Sequence, residues 1–252
     1  MDFLLIGLAS LLAGFVDAIV GGGGLILVPA LFIAYPQAHA ATLLGTNKSA
    51  SIWGTAIAAW RYGRQVELKW SSLWPAAFCG FLGSLMGAWL VTFLSTDLLR
   101  KFLPIVLLAV LIYTIIKKDL GQSHTPRYAG RVELLAFCLL GTLIGVYDGF
   151  FGPGTGSFLV FLMVRWLGFD FINASGSAKV INVATNLAAL LLFTAKGYVW
   201  WHLTFIMAGA NILGSLLGSY AALRFGTGFV RYVFIIVVAT MTCKVGFDAY
   251  FR

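Results

Sequence analysis

Four charged side chains stand in stretches that are otherwise apolar. Lys48 lies in LLGTNKSAS (43–51) and Lys179 in ASGSAKVIN (174–182). Asp17 and Asp148 each precede a glycine cluster, GGGG at Gly21–Gly24 and GPGTGS at Gly152–Ser157. The two separations are equal, 179 − 48 = 131 and 148 − 17 = 131. A buried lysine near the start of a helix can hold a small oxyanion, because the free N–H groups there carry the positive end of the helix dipole and the ammonium adds a full charge. A carboxylate beside such a site has three uses: pairing with a lysine of its own or the opposite half while the site is empty, taking a proton and coupling transport to a proton gradient, or bonding the N–H groups of the glycine break.

Glycine permits the backbone turn that ends one helix and begins another, and Pro153 suits a helix's first turn. Each cluster therefore reads as a helix interruption. Thr46 or Asn47 in the first half, and Ser175 or Ser177 in the second, are suitable N-caps, which would put Lys48 and Lys179 in a first turn where their charge opposes the dipole unless an anion joins them. The candidate substrate-binding residues are Lys48, Lys179, Asn47, Thr46, Ser177, Gly22, Gly23, Gly24, Gly154, Thr155, Gly156 and Asn182, with Asp17 and Asp148 as proton-coupling or structural groups. Plainer readings compete: the lysines snorkel to headgroups, and the glycines let helices pack closely, as LGSLMG (82–87) and LGSLLG (213–218) do. GTGS carries a serine without a paired base, and His39, His124 and His202 lack metal-site spacing.

The elements holding these residues must be membrane helices. Hydrophobic residues make up 60% of the 252, charged ones 10%, and the mean hydropathy is +0.94, against about half apolar and a quarter charged in soluble domains. Met1–Leu12 contain no Lys or Arg, so they read as a first membrane segment and not as a cleavable leader. The net charge of +8 resides mainly in short connections, which suits cytoplasmic loops and offers no domain to nucleic acid. Cys79, Cys138 and Cys243 read as packing residues, and no cofactor is called for. Apolar segments fall near 3–20, 24–35, 47–62, 71–94 and 102–116, then 132–150, 155–168, 178–195, 201–223 and 232–250.

The two sets match without a gap at the 131-residue offset, which also pairs Gly14 with Gly145, Gly45 with Gly176, Trp70 with Trp201 and Arg100 with Arg231. The expected organisation is a first repeat at 1–116, a cytoplasmic connection at 117–131 and a second repeat at 132–252. An odd number of crossings per half inverts the repeats and an even number leaves them parallel. Basic residues put 61–69 and 117–131 on the cytoplasmic side, and the lack of any Lys or Arg before Lys48 favours an outside N-terminus, hence inverted halves. The fold expected is an all-α polytopic membrane protein with short broken or re-entrant helices at the glycine motifs.

LAGFVDAIVGGGGLILVPAL with GTNKSAS, repeated as IGVYDGFFGPGTGSFLVF with SGSAKVIN, resembles the sulfite exporter TauE/SafE family of membrane permeases along almost the whole chain. The resemblance implies two homologous repeats and movement of sulfur-containing anions such as sulfite, thiosulfate or organosulfonates across the cytoplasmic membrane. The expected partners are a small anion, protons as a coupling ion and the lipid bilayer, with no oligomeric state assigned. A channel-like anion pore without ion coupling is the alternative within transport, and a non-transporting scaffold subunit is the alternative outside it.

Overall fold

The computed structural model describes residues 2–35, 37–92, 108, 112 and 123–250, and among them all regular structure is helical. In chain order the helices are α1 (Asp2–Val20), α2 (Gly24–Ala34), α3 (Ala40–Gln65), α4 (Trp70–Leu90), α5 (Gly130–Phe150), α6 (Thr155–Leu162, continued by a π-turn over Met163–Leu167), α7 (Phe171–Ala195) and α8 (Trp201–Tyr250). The segment expected at 102–116 lies outside the described residues except for Leu108 and Ile112. Among the described residues, four helices are long and apolar enough to cross a membrane: Trp70–Leu90, Gly130–Phe150, Phe171–Ala195 and Trp201–Val237. The chain is thus a multi-pass, all-α membrane protein.

The helix faces follow from a solvent that is itself apolar. On α4, Trp74, Phe78, Leu82 and Met86 recur every fourth residue and are exposed, whereas Gly80, Gly83, Ser84 and Gly87 are buried. Large side chains face lipid while small ones let backbones approach, since apolar burial drives little association between helices in a bilayer. A Cβ at Gly87 would collide with the Val146 carbonyl of α5, and one at Gly145 with the Gly80 carbonyl of α4. The α1–α8 seam is built alike, with Gly214 against the Leu11 carbonyl and Gly218 against that of Phe15.

These contacts repeat at the sequence offset with the halves exchanged. Gly83 meets Thr142 as Gly214 meets Leu11, where 83 + 131 = 214 and 11 + 131 = 142. Ser84 Oγ donates to the Thr185 carbonyl at 2.7 Å, and its counterpart Ser215 Oγ to that of Gly54 at 2.5 Å. Helix starts keep the same spacing: Gly24 and Thr155, Ala40 and Phe171, Trp70 and Trp201.

Contact order gives the helix directions. Residue numbers rise together between α4 and α5 (Gly80 with Gly145, Ser84 with Gly149), between α1 and α8 (Leu11 with Gly214, Phe15 with Gly218), between α3 and α8 (Ser49 with Thr204, Arg61 with Ser219) and between α4 and α7 (Gly80 with Ile181, Thr92 with Lys196). They oppose between α3 and α7, where Gly45 meets Phe193 and Tyr62 meets Gly176. Accordingly α1, α3 and the part of α8 before Gly226 point one way and α4, α5 and α7 the other, so these helices run against their counterparts 131 residues away.

Three sequence expectations are corrected. α3 and α7 begin at Ala40 and Phe171, seven residues before the expected 47 and 178 (47 − 40 = 7; 178 − 171 = 7). Their N-caps are His39, whose Nδ1 accepts from the Ala41 N–H at 3.3 Å, and Asp170, whose Oδ1 accepts from the Asn173 N–H at 2.8 Å. Thr46, Asn47, Ser175 and Ser177 therefore cap nothing, and neither lysine opposes a first-turn dipole. The expected loop at 224–231 is helical apart from a break at Gly226 (φ 76°, ψ −170°), after which Phe234 packs on Phe171 with ring centroids 5.6 Å apart. α5 starts at Gly130, two residues before the expected 132.

Candidate functional site

α1 stops at Val20, where Gly21 takes φ 79°. A helix ending inside the bundle leaves its last carbonyls without helical partners, and in a membrane they need protein donors. Each has one: Ala18 O accepts from Tyr62 Oη (3.1 Å), Ile19 O from Ser175 Oγ (3.0 Å), Val20 O from Ser157 Oγ (3.1 Å) and Gly21 O from Ser157 N–H (3.2 Å). The second break closes on itself instead, with Thr155 Oγ1 donating to Gly152 O at 2.7 Å and Tyr147 Oη to Pro153 O at 2.5 Å. Gly152 and Gly154 both have positive φ (89° and 84°). The breaks touch, Gly21 lying on Gly156 and Gly24 on Pro153, so closely at the former that neither glycine has room for a Cβ.

Beside this crossing lie two buried ion pairs. Lys48 Nζ is 2.6 Å from Asp148 Oδ1, and Lys179 Nζ is 3.4 Å from Asp17 Oδ2. The lysines are 3% and 0% exposed and the aspartates 1% and 8%, which rules out snorkelling to the lipid surface. The pairing is crossed, joining α3 to α5 and α7 to α1, and one pair maps onto the other at the 131-residue offset. In the α3–α7 register, paired residue numbers sum to 238 (45 + 193; 62 + 176), so Lys179 lies level with residue 59 of α3. The lysine Cα atoms are then 11 residues apart along the axis (59 − 48), about 16 Å, one on each side of the helix middle. Each side chain reaches inward to an aspartate.

The two sites differ in their hydrogen bonds. Thr55 Oγ1 lies 3.1 Å from Asp17 Oδ2 and 2.9 Å from the Ser51 carbonyl, so its one hydrogen is shared between them. Asn186 occupies the position 131 residues after Thr55, but its Nδ2 donates to Asn182 Oδ1 at 3.0 Å. Asp148 Oδ2 is buried without a hydrogen-bond partner, as is Asn47 Oδ1, next in the chain to Lys48. Lys48 Nζ also borders the second break, 3.1 Å from where a Cβ on Gly152 would sit.

Of the residues singled out in the sequence, Lys48, Lys179, Asp17, Asp148 and the glycine breaks come together, with Asn47, Ser177 and Asn182 buried close to them in the chain. Thr46 is used elsewhere, donating to Thr42 O at 2.7 Å and accepting the Trp200 N–H at 3.0 Å, which fastens α3 to the start of α8. The first turns of α2 and α6 are partly occupied: Leu25 N–H donates to Gly22 O, Ile26 N–H to Gly23 O and Ser157 N–H to Gly21 O. Charge for an anion therefore comes chiefly from the lysines. Thr55, Ser157 and Tyr62 were missed in the sequence, although the polar match of Thr55 with Asn186 at the repeat offset was a readable signal.

The helices form two groups. Hydrogen bonds tie α8 to α1 and α3 (Ser10 Oγ to Met207 O, 2.7 Å; Ser215 Oγ to Gly54 O, 2.5 Å), and α4 to α7 (Ser84 Oγ to Thr185 O, 2.7 Å), with α5 packed on α4 through glycines. Both ion pairs span the boundary between these groups.

Residues 6–245 match the family model described as Sulfite exporter TauE/SafE. The chain is 36% identical over 242 residues to the probable membrane transporter protein YfcA of Escherichia coli K12, covering 96% of this chain and 88% of the relative. It is 36% identical over 241 residues to a probable membrane transporter protein of Haemophilus influenzae (94% and 91% covered). Against the probable membrane transporter protein ORF9 of a Sinorhizobium species, identity is 34% over 238 residues (94% and 89% covered). No solved structure matches the chain.

Proposed function

The chain belongs to the sulfite exporter TauE/SafE family and is a membrane transporter, and from that premise we propose that it exports a small sulfur oxyanion or sulfonate across the cytoplasmic membrane by alternating access of two inverted repeats, 1–116 and 132–252. The crossed lysine–aspartate pairs carry this reading. Two charges in a low-dielectric interior cost several kcal/mol to desolvate, and a hydrophobic pair of the same volume is often as stable or more so. Two such pairs in equivalent positions of opposed halves, beside two broken helices, make poor structural sense but suit a transporter's midplane site. The anion exchanges for a carboxylate on a lysine, with the glycine breaks at Gly22–Gly24 and Gly154–Gly156 supplying close backbone approach. Both pairs bridge the two helix groups, alongside the Ser175–Ile19 and Ser157–Val20 hydrogen bonds, so their making and breaking changes how firmly those groups hold together.

The sulfur class follows from the family's description, the cationic partner from the lysines. Thermal unfolding of the purified protein in detergent, with and without sulfite, thiosulfate, methanesulfonate, sulfate and acetate, tests the reading. A ligand at 100 times its dissociation constant adds about 2.7 kcal/mol, enough to raise the midpoint by several degrees. Sulfite, thiosulfate or methanesulfonate should do so and acetate should not; equal shifts for all five, or none, would count against a sulfur-anion site.

A further inference from the structure

The unequal hydrogen bonding of the two aspartates bears on what travels with the anion. We propose that Asp148 carries one proton with each monovalent anion, making the transporter an electroneutral anion–proton symporter in which export is driven by the anion's own outward gradient; this rests on the reading of Lys48 as an anion seat. With the site empty, Lys48 (+1) and Asp148 (−1) sum to zero, which the tight 2.6 Å pair and its full burial require. An anion arriving at Lys48 would leave the site at −1 if Asp148 stayed ionised. When a proton binds Asp148, the Lys48–Asp148 ion pair is replaced by a Lys48–anion pair beside a neutral carboxylic acid, and the sum is again zero. Release on the far side returns anion and proton to water and re-forms the original pair.

The structure distinguishes Asp148 from Asp17 for this role. Asp17 Oδ2 accepts from Lys179 and shares the single Thr55 hydroxyl hydrogen with the Ser51 carbonyl. Asp148 takes Lys48 on Oδ1, its Oδ2 is buried without a partner, and Asn186, in the place equivalent to Thr55, donates its amide to Asn182. Asn47 Oδ1 is a second buried acceptor without a donor, adjacent to Lys48. A proton on Asp148 Oδ2 would turn one of these buried acceptors into a donor. Among the described residues Lys48 from α3 faces Asp148, the Lys179–Asp17 pair is another ion pair with both side chains buried, α4 and Thr155–Leu162 carry no charged side chain, and Tyr147 on its own helix donates to Pro153 O.

Methanesulfonate is the informative probe, since it has no protonated form near neutral pH and any proton moved must be carried by the protein. In liposomes containing the purified chain and a trapped pH dye, inward flux of labelled methanesulfonate should acidify the lumen by about one proton per anion and should not respond to an imposed potassium diffusion potential. Flux driven by the potential without acidification overturns the proposal. Asp148→Asn binds anion without a proton but leaves Lys48 unpaired when empty, so net uptake should fall at least tenfold while exchange of labelled for unlabelled anion persists and loses its pH dependence. Retained net uptake, or loss of exchange as well, refutes the assignment to Asp148; if that variant does not insert, the wild-type proton count decides alone. No flux of methanesulfonate, sulfite or thiosulfate would remove the anion-transport reading itself, and the coupling with it.

Discussion

Lys48→Ala should lower saturable uptake of sulfite or methanesulfonate by about 100-fold, the loss expected when one partner of a buried charged contact worth about 3 kcal/mol is truncated. The same change leaves Asp148 buried without its cation, which costs about 3–5 kcal/mol of stability. Loss of flux alone would therefore not separate binding from folding. The double variant Lys48→Met/Asp148→Asn does so: with both charges gone and volume roughly kept, the unfolding midpoint should recover towards wild type while uptake stays absent. Recovery of uptake together with stability would show that the pair only holds helices together. Lys179→Ala should also depress uptake strongly, because the second pair bridges the same boundary between helix groups.

Gly21→Ala is expected to be among the most destabilising single changes in the molecule. Gly21 sits at φ 79°, where a Cβ costs about 1–2 kcal/mol in backbone strain. That Cβ would also collide with the backbone of Gly156 and Ser157, which cannot rotate away as a side chain could. The Ser157 N–H to Gly21 O bond would be lost with the displacement, leaving an end carbonyl of α1 without a donor. Together these place the loss near 4–5 kcal/mol, the upper end for single substitutions. Gly209→Ala is the control: a Cβ there meets nothing within 4 Å, so the unfolding midpoint should hold or rise, since Ala favours helix over Gly by about 1 kcal/mol. Equal midpoints for the two variants in thermal unfolding would mean that the crossing of the breaks is not a fixed joint.

The glycine breaks were legible in the sequence because they violate the membrane pattern locally: four glycines in a row have few uses inside a bilayer, and α2 and α6 begin at Gly24 and Thr155 as expected. The starts of α3 and α7 were not. Residues 40–47 contain Thr42, Thr46 and Asn47, and hydropathy reads such a stretch as a connection. In the structure those side chains are buried, with Thr46 bonded to Thr42 O and Ser49 to Thr204. A helix enclosed by other helices need not be apolar outside, because no lipid touches its polar face.

The crossed partnership is the second element that sequence could not supply. The repeat gave two lysines and two aspartates at one spacing, leaving open whether each pairs within its half or across. The structure decides it by contact, Lys48 of α3 meeting Asp148 of α5 and Lys179 of α7 meeting Asp17 of α1. The cap roles of Thr46 and Ser177 failed for a related reason: a Ser or Thr before a lysine looks like a helix start, yet hydroxyls within membrane helices often bond back to the carbonyl four residues earlier, as Thr46 does.

A carrier whose two states expose one site to opposite sides must speed labelled anion entry when unlabelled anion waits inside, whereas a pore has no such dependence and a scaffold shows no flux. Alternating access is therefore tested most directly by counterflow of labelled sulfite into liposomes containing the purified chain. It predicts saturable entry, accelerated by internal unlabelled sulfite or methanesulfonate and absent from the Lys48→Met/Asp148→Asn double variant. Entry that neither saturates nor responds to internal anion, or that persists unchanged in the double variant, would contradict it.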